Sequence, residues 1–220
     1  MRLNRYLAHA TGSSRRQADE MIVTGRVKVN ATTASLGQQV EPDDRVSLDD
    51  EAVTLSEHLT IAFHKPAGYV CSRRQQGSDP TIYELLPSHL HTLKPIGRLD
   101  KDSRGLLLLT TDGQLAQELT HPKHAKSKVY EVMLDRELED TDLFQIKIGV
   151  ELNDGVSRLE IESLEGNAKA YRITMQEGRN RQIRRTFSSL GYAVIDLFRT
   201  AFGTHKLDDL SEGSWRELKL

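Results

Sequence analysis

Leu106 to Leu109 are four consecutive leucines, set in the stretch GRLDKDSRGLLLLTTDG at 97–113. A short apolar run bounded by glycine on one side and Thr-Thr-Asp-Gly on the other reads as a strand buried on both faces. The rest of the chain must therefore supply cover above and below it. Asp100 and Asp102 stand only a few residues before this strand. A carboxylate near such a strand is costly to bury unless it is paired, so these acids form either a solvated turn or a site. Asp100 sits on a loop held by a rigid element, where catalytic side chains are commonly placed.

The N-terminal segment has a different character. Leu3, Leu7 and Ala10 share one helical face, and Gly12 closes that helix. A second helix starts at Ser13 or Ser14, where Ser-Arg-Arg-Gln has capping-box spacing, and ends at Gly25. Strand-like pieces follow at 26–30, 34–40 and 45–50. Arg2, Arg5, Arg15, Arg16, Arg26 and Lys28 outnumber Asp19 and Glu20 here. Arg15 and Arg16 open the second helix, so the positive end of its dipole and two guanidinium groups together suit phosphate. The alternative is a solvated helix face. Residues 41–57 are strongly acidic and offset these cations, so the net charge of −2 conceals a basic face.

From residue 58 onward the pattern is mixed. Strands are expected in 59–65, 105–111, 128–134, 158–165, 169–175 and from 192. A short helix is expected at 79–86 with Asp79 as cap and Pro80 first, and further helices at 113–121 and 180–191. In the last of these Ile183, Phe187 and Leu190 face inward. Strands outnumber helices without strict alternation, which makes the chain α+β with a mainly antiparallel sheet.

Composition excludes several classes. The single cysteine, Cys71, permits no internal disulfide and reads as a small buried hydrophobe. The longest apolar run falls far short of the ~18 residues of a membrane span. The first residues lack a signal-peptide core and cleavage pattern, so the expectation is a cytoplasmic protein. No exposed apolar stripe stands out, which favours a monomer.

Three stretches carry more than a fold requires. The first holds Asp100. The second, EGRNRQIRR at 177–185, clusters Arg179, Arg181, Arg184 and Arg185 at a strand-to-helix junction. An inward-pointing arginine there needs an acid, and Asp100 is the candidate. The third is HPKHAKSKVYEV at 121–132, a basic loop with Lys126 and Lys128 leading into a strand that carries Tyr130. Asp100 and Asp102 as a magnesium pair lack a phosphate loop or further acids, and His121 and His124 lack further ligands, so no metal site is expected.

KPAG (65–68), GRLDKDSRGLLLLTTDG, KVYEV (128–132) and EGRNRQIRR resemble, in order, the successive motifs of pseudouridine synthases of the RsuA-type bacterial ribosomal RNA family. GSWREL near the end is similar to that family's C-terminus, and the first residues resemble its S4 RNA-binding domain. The resemblance implies an S4-like domain at 1–48, an acidic linker at 49–58 and a catalytic domain with a central cleft at 59–220. It implies isomerisation of a uridine in 16S or 23S ribosomal RNA, on free RNA or an assembly intermediate, without metal or other cofactor. Asp100 matches the catalytic aspartate that acts on the ribose so that the glycosidic bond breaks. Tyr130 matches the tyrosine that stacks on the base, and Arg184 the arginine that pairs with the aspartate and keeps it charged. Arg98 matches the residue that wedges into the stack, and Ile183 lines the pocket, with Arg179 and Arg181 beside the substrate. The rival expectation is a non-catalytic RNA-binding or ribosome-assembly factor on a synthase-like scaffold. The choice of substrate is expected to lie in variable loops such as 73–80.

Overall fold

The computed structural model describes residues 1–55, 57–73, 77–121 and 126–219. His124 and part of the 73–80 loop, on which two expectations fell, lie outside them.

At the N-terminus, α1 (Leu3–Ala10) and α2 (Arg15–Val23) cover a small sheet of β1 (Val27–Val29), β2 (Thr32–Thr33), β3 (Val46–Leu48) and β4 (Glu51–Ala52). The strand order is β2-β1-β3-β4, with antiparallel pairing throughout. Leu3, Leu7, Ala18, Ile22, Val27 and Val46 make its core. The capping box is present: the Gln17 N–H donates to Ser14 Oγ at 3.2 Å, and the Ser14 N–H to Gln17 Oε1 at 2.9 Å. The strand expected over 34–40 is absent. A turn with Gly37 at φ +82° interrupts it and leaves Leu36 exposed, so only an Arg2–Gln39 bridge remains. β4 falls within the stretch expected as linker.

The larger sheet uses β5 (Thr60–Lys65), β6 (Lys94–Ile96), β7 (Arg104–Thr110), β8 (Lys128–Leu134), β11 (Glu160–Ser163), β12 (Ala170–Met175), β13 (Val194–Phe202), β14 (His205–Lys206) and β15 (Trp215–Glu217). The hairpin β9 (Val150–Leu152) and β10 (Gly155–Ser157) stands apart, and α3 (Gly113–Thr120), α4 (Asp140–Ile148) and α5 (Gln182–Ser189) complete the fold. The order is β11-β12-β8-β13-β7-β5-β15, with β14 beside β13 and β6 beside β7. Among the described strand pairs of this sheet only β13 with β7 is parallel, so the sheet is mainly antiparallel as expected.

β7 is the four-leucine strand, and all four leucines are 0% exposed. Leu107 and Leu109 enter the main core with Ile61 and Phe63, whereas Leu106 and Leu108 face a second cluster with Ile96, Leu119 and Phe202. The period-two alternation thus divides one apolar run between two cores.

Several elements escaped the sequence reading, the short strands β2, β14 and β15 among them. β6 is three residues long, and the β9–β10 hairpin is similarly short. α4 has no clean apolar face: Ile146 is buried while Phe144 and Ile148 are exposed. The short helix expected from Asp79 also differs. It is a 3₁₀ turn over Ile82–Leu85 closed by Thr81 and Glu84, with the Thr81 N–H donating to Glu84 Oε1 at 2.7 Å, while Asp79 pairs with Lys101.

The small unit is tied to the body by polar contacts. The Arg73 guanidinium donates to the carbonyls of Gly12 (3.0 Å) and His91 (2.6 Å), and Lys94 Nζ to that of Ser13 (3.0 Å). The rings of His9 and His58 stack with centroids 4.3 Å apart.

Gly105 lets β13 lie against β7. It has φ +111°, and a Cβ there would stand 2.3 Å from the Arg199 carbonyl oxygen and 2.6 Å from its nitrogen. Gly105→Ala should cost about 3 kcal/mol in urea denaturation, combining strain with overpacking against backbone. Gly113→Ala, at an open position on α3, should leave stability within about 1 kcal/mol.

Candidate active site

A cavity of about 550 Å³ opens where the 97–103 loop, β8, β13 and the start of α5 converge. Gly97, at φ +71°, begins the loop after β6, and the loop ends where β7 starts. Asp100, Tyr130, Arg98, Ile183, Lys128 and Arg199 all line the space. Tyr130 is 8% exposed and Ile183 4%, so both are firmly packed where they line it. The volume falls in the usual range of ~300–1,000 Å³ for small-molecule sites, which accommodates a nucleotide.

The loop is anchored from behind by Lys65, the last residue of β5 and fully buried. Its Nζ donates to the carbonyls of Ser103 (2.7 Å), Pro66 (2.9 Å), Asp100 (3.1 Å) and Lys101 (3.3 Å). One ammonium thereby fixes the backbone on either side of the Asp100 side chain. Burial lowers its pKa to about 8, against the pull of Asp102 and Asp100 in the opposite direction. KPAG entered the sequence reading as one of the family-like motifs, with no role given to Lys65 itself. A lysine at the end of a strand that is otherwise apolar apart from a threonine and a histidine was the available signal.

The acid–arginine arrangement corrects one expectation. Arg184 is turned inward as foreseen, with its side chain 12% exposed, yet its acid is Asp102 at 3.3 Å from Nε. Its Nη2 donates to the Asp102 carbonyl (2.8 Å) and its Nη1 to that of Val194 (2.9 Å). Arg181 grips both Asp102 oxygens, at 2.9 and 3.0 Å, and comes within 3.7 Å of Asp100. The reason is register. Arg181 caps α5 in a left-handed conformation, φ 46° and ψ 33°, uncommon for a residue with a side chain, which carries its guanidinium over the loop. The Asp102 carboxyl is held below its ordinary pKa by the Arg181 hydrogen bond first, with the charges of Arg184 and Arg181 adding to it.

The other expected residues fall into two groups. Arg98 is exposed where the loop borders the cavity, and Lys126 and Lys128 line it. Lys128 Nζ donates to the Glu177 and Gln176 carbonyls at 3.1 and 3.2 Å. Arg179 lines the cavity too, but its Nη atoms hold the β9–β10 turn through Asp154, Gly155 and Val156, each at 2.9 Å. In the small unit Arg2, Arg15 and Arg16 are exposed. Arg5 donates to Gln114 Oε1 across to α3 at 3.2 Å. Arg26 and Lys28 are paired with Asp49 and Asp50, so part of the expected basic face is internally neutralised.

A basic-rimmed cavity with an anchored aspartate and a buried tyrosine, joined to a small αβ unit with exposed arginines, defines an enzyme built to act on RNA. Family models agree: residues 59–189 match RNA pseudouridylate synthase and residues 1–46 match the S4 domain. An uncharacterised RNA pseudouridine synthase of Aquifex aeolicus (strain VF5) is 37% identical over 99% of this chain and 90% of its own. Ribosomal large subunit pseudouridine synthase B of Escherichia coli (strain K12) is 34% identical over 100% of this chain and 79% of its own. A pseudouridylate synthase crystal structure superposes with a TM-score of 0.71 at 34% identity, covering 100% of this chain and 96% of the other. The chain belongs to the RNA pseudouridylate synthase family and carries an N-terminal S4 domain. No helix among the described residues is long and apolar enough to cross a membrane.

Lys65→Met leaves three loop carbonyls without their donor. It should slow turnover by at least about tenfold, with RNA affinity within about threefold because phosphate contacts dominate binding. In the wild-type protein, turnover should decline as pH rises through about 8, where Lys65 gives up its proton and one donor. The same group should raise global stability between about 8 and 10.5, since the unfolded chain retains the proton longer. A pH–activity profile flat to pH 9.5 would refute this role.

Proposed function

We propose that the protein converts one uridine of large-subunit ribosomal RNA to pseudouridine, taking the nucleotide flipped out of its strand and using no cofactor. The observation that carries this reading is that Asp100, on a loop fixed by Lys65, and the buried Tyr130 ring line the same cavity. Asp100 acts on the ribose so that the N1–C1′ bond breaks, and the base turns and rejoins through C5. Tyr130 supports the base, with Ile183 beside it, and stacking helps offset the few kcal/mol that extrusion costs. Arg98, exposed at the border of the cavity, fills the gap left in the stack. Arg184 and Arg181 position the loop through Asp102, and Lys126, Lys128 and Arg179 lie along the RNA path.

Residues 1–48, with β4 completing their sheet, hold the RNA through Arg2, Arg5, Arg15 and Arg16, the rest of 49–58 connects, and residues 59–220 carry out the reaction in the cytoplasm as a monomer. The family models, whose matches end at 46 and begin at 59, support this division. The large-subunit target is taken from the printed name of relatives such as the Escherichia coli protein.

Two experiments test the reading. Nucleotide-resolution pseudouridine mapping of ribosomal RNA from cells lacking the gene should reveal one lost site, restored by wild type and not by Asp100→Asn. A complete set of modifications in the deletion strain would sink the assignment. Replacing Arg15 and Arg16 together by alanine should weaken RNA binding and lower the salt dependence, log K against log salt, by about 2. An unchanged slope would remove α2 from the RNA path.

A further inference from the structure

Arg199 is the largest of the fully buried side chains and has no part in the roles given so far. It lies on β13 directly across from Tyr130 on β8, so the two side chains leave the sheet on the same face and line the same cavity. Its Nε donates to the Leu106 carbonyl at 2.7 Å, and its guanidinium carbon stands 5.2 Å from the centre of the Phe202 ring. Its Nη2 is buried without a hydrogen-bond partner among the described residues, and no carboxylate pairs with it there. The other cations near it, Lys65 and Lys128, donate to backbone carbonyls and repel it. A buried, uncompensated cation with an unused donor is costly, and it calls for an acceptor that arrives with the substrate.

A nucleotide entering a cavity from an RNA strand leaves its phosphates at the mouth and sends its base inward. Arg199 lines the cavity with almost none of its surface exposed, so it is the base rather than a phosphate that comes up to its guanidinium. We propose that Arg199 turns a guanidinium N–H to a carbonyl oxygen of the flipped uracil and stabilises the negative charge that the base takes up when its bond to the ribose breaks. This rests on the uridine isomerisation proposed above. In that reaction the N1–C1′ electron pair leaves with the base, whose charge spreads over N1, O2 and O4. Asp100 takes up the deficit on the sugar, either by bonding to C1′ or by accepting the C2′ proton that it later returns. C5 then bonds to C1′ as the Asp100–C1′ bond breaks and the carboxylate leaves, or as the C2′ proton returns to the sugar; the C5 proton is lost and N1 gains one, so no atom is added or removed overall. A donor-only cation placed where this charge develops acts as an oxyanion hole does.

The test compares wild type, Arg199→Met and Arg199→Lys in single-turnover reactions. The substrates are the mapped ribosomal RNA transcribed with uridine or with 5-fluorouridine, and rearrangement is read by digesting the RNA to nucleosides and separating the C5-linked product from the N1-linked one by chromatography. Fluorine itself stabilises the departing anion, so the need for Arg199 shrinks on the second substrate. Arg199→Met should be slower by about 100-fold on uridine RNA and by about tenfold or less on 5-fluorouridine RNA, with RNA affinity within about threefold of wild type. Equal slowing on the two substrates, or a wild-type rate on both, overturns the proposal. Should Arg199→Met fail to fold, Arg199→Lys gives the same comparison. It retains the charge without the planar donor, and its slowing must again be smaller on 5-fluorouridine RNA. Inactivity of wild type on uridine RNA would instead count against the uridine isomerisation itself, which the wild-type arm reads separately.

Discussion

A single ammonium beneath the loop determines where the aspartate can be. Lys65 is wholly inside the protein, and among the described residues the groups it meets within hydrogen-bond range are carbonyls from Pro66 and from the loop at 100, 101 and 103. Carbonyl dipoles turned toward one charge fix a backbone more tightly than contacts among uncharged groups, because charge-assisted bonds are roughly twice as strong. The loop cannot relax without leaving that charge unsolvated. Preorganisation at Asp100 is therefore supplied from below, and the arginines of α5 close over it from above through Asp102.

The same economy of contacts governs the sheet. β7 can be apolar throughout its leucines because one face packs with Ile61 and Phe63 and the other with Ile96 and Phe202. It can pair parallel to β13 because residue 105 has no side chain. The same residue of β13, Arg199, pairs with Gly105 on one side and with Tyr130 of β8 on the other, so the strand packed closely in the interior also furnishes the cavity wall.

Much of this was legible in the chain. The four leucines, the alternation of β8 and the capping box at Ser14 are local patterns whose period or spacing fixes the local structure, and the motif order at 65–68, 97–113, 128–132 and 177–185 indicated the family. Legibility stopped where structure depends on register between distant segments. Which acid Arg184 meets depends on the left-handed turn at Arg181, and no residue type there announces it. α4 was invisible because its apolar side chains do not keep to one face. The neutralisation of Arg26 and Lys28 by Asp49 and Asp50 depends on the pairing of β1 with β3, which a charge count along the chain conceals.

The placement of the small unit has a geometric result. It meets the body around Lys94 and Thr110, at the end of β7 remote from the Asp100 loop. The six residue steps of β7 from Arg104 to Thr110 span roughly 20 Å at about 3.3 Å per residue. On the function proposed above, an RNA held by the small unit while its nucleotide enters the cavity must bridge the two ends of this strand, so the shape of the substrate around the target counts alongside the bases next to it.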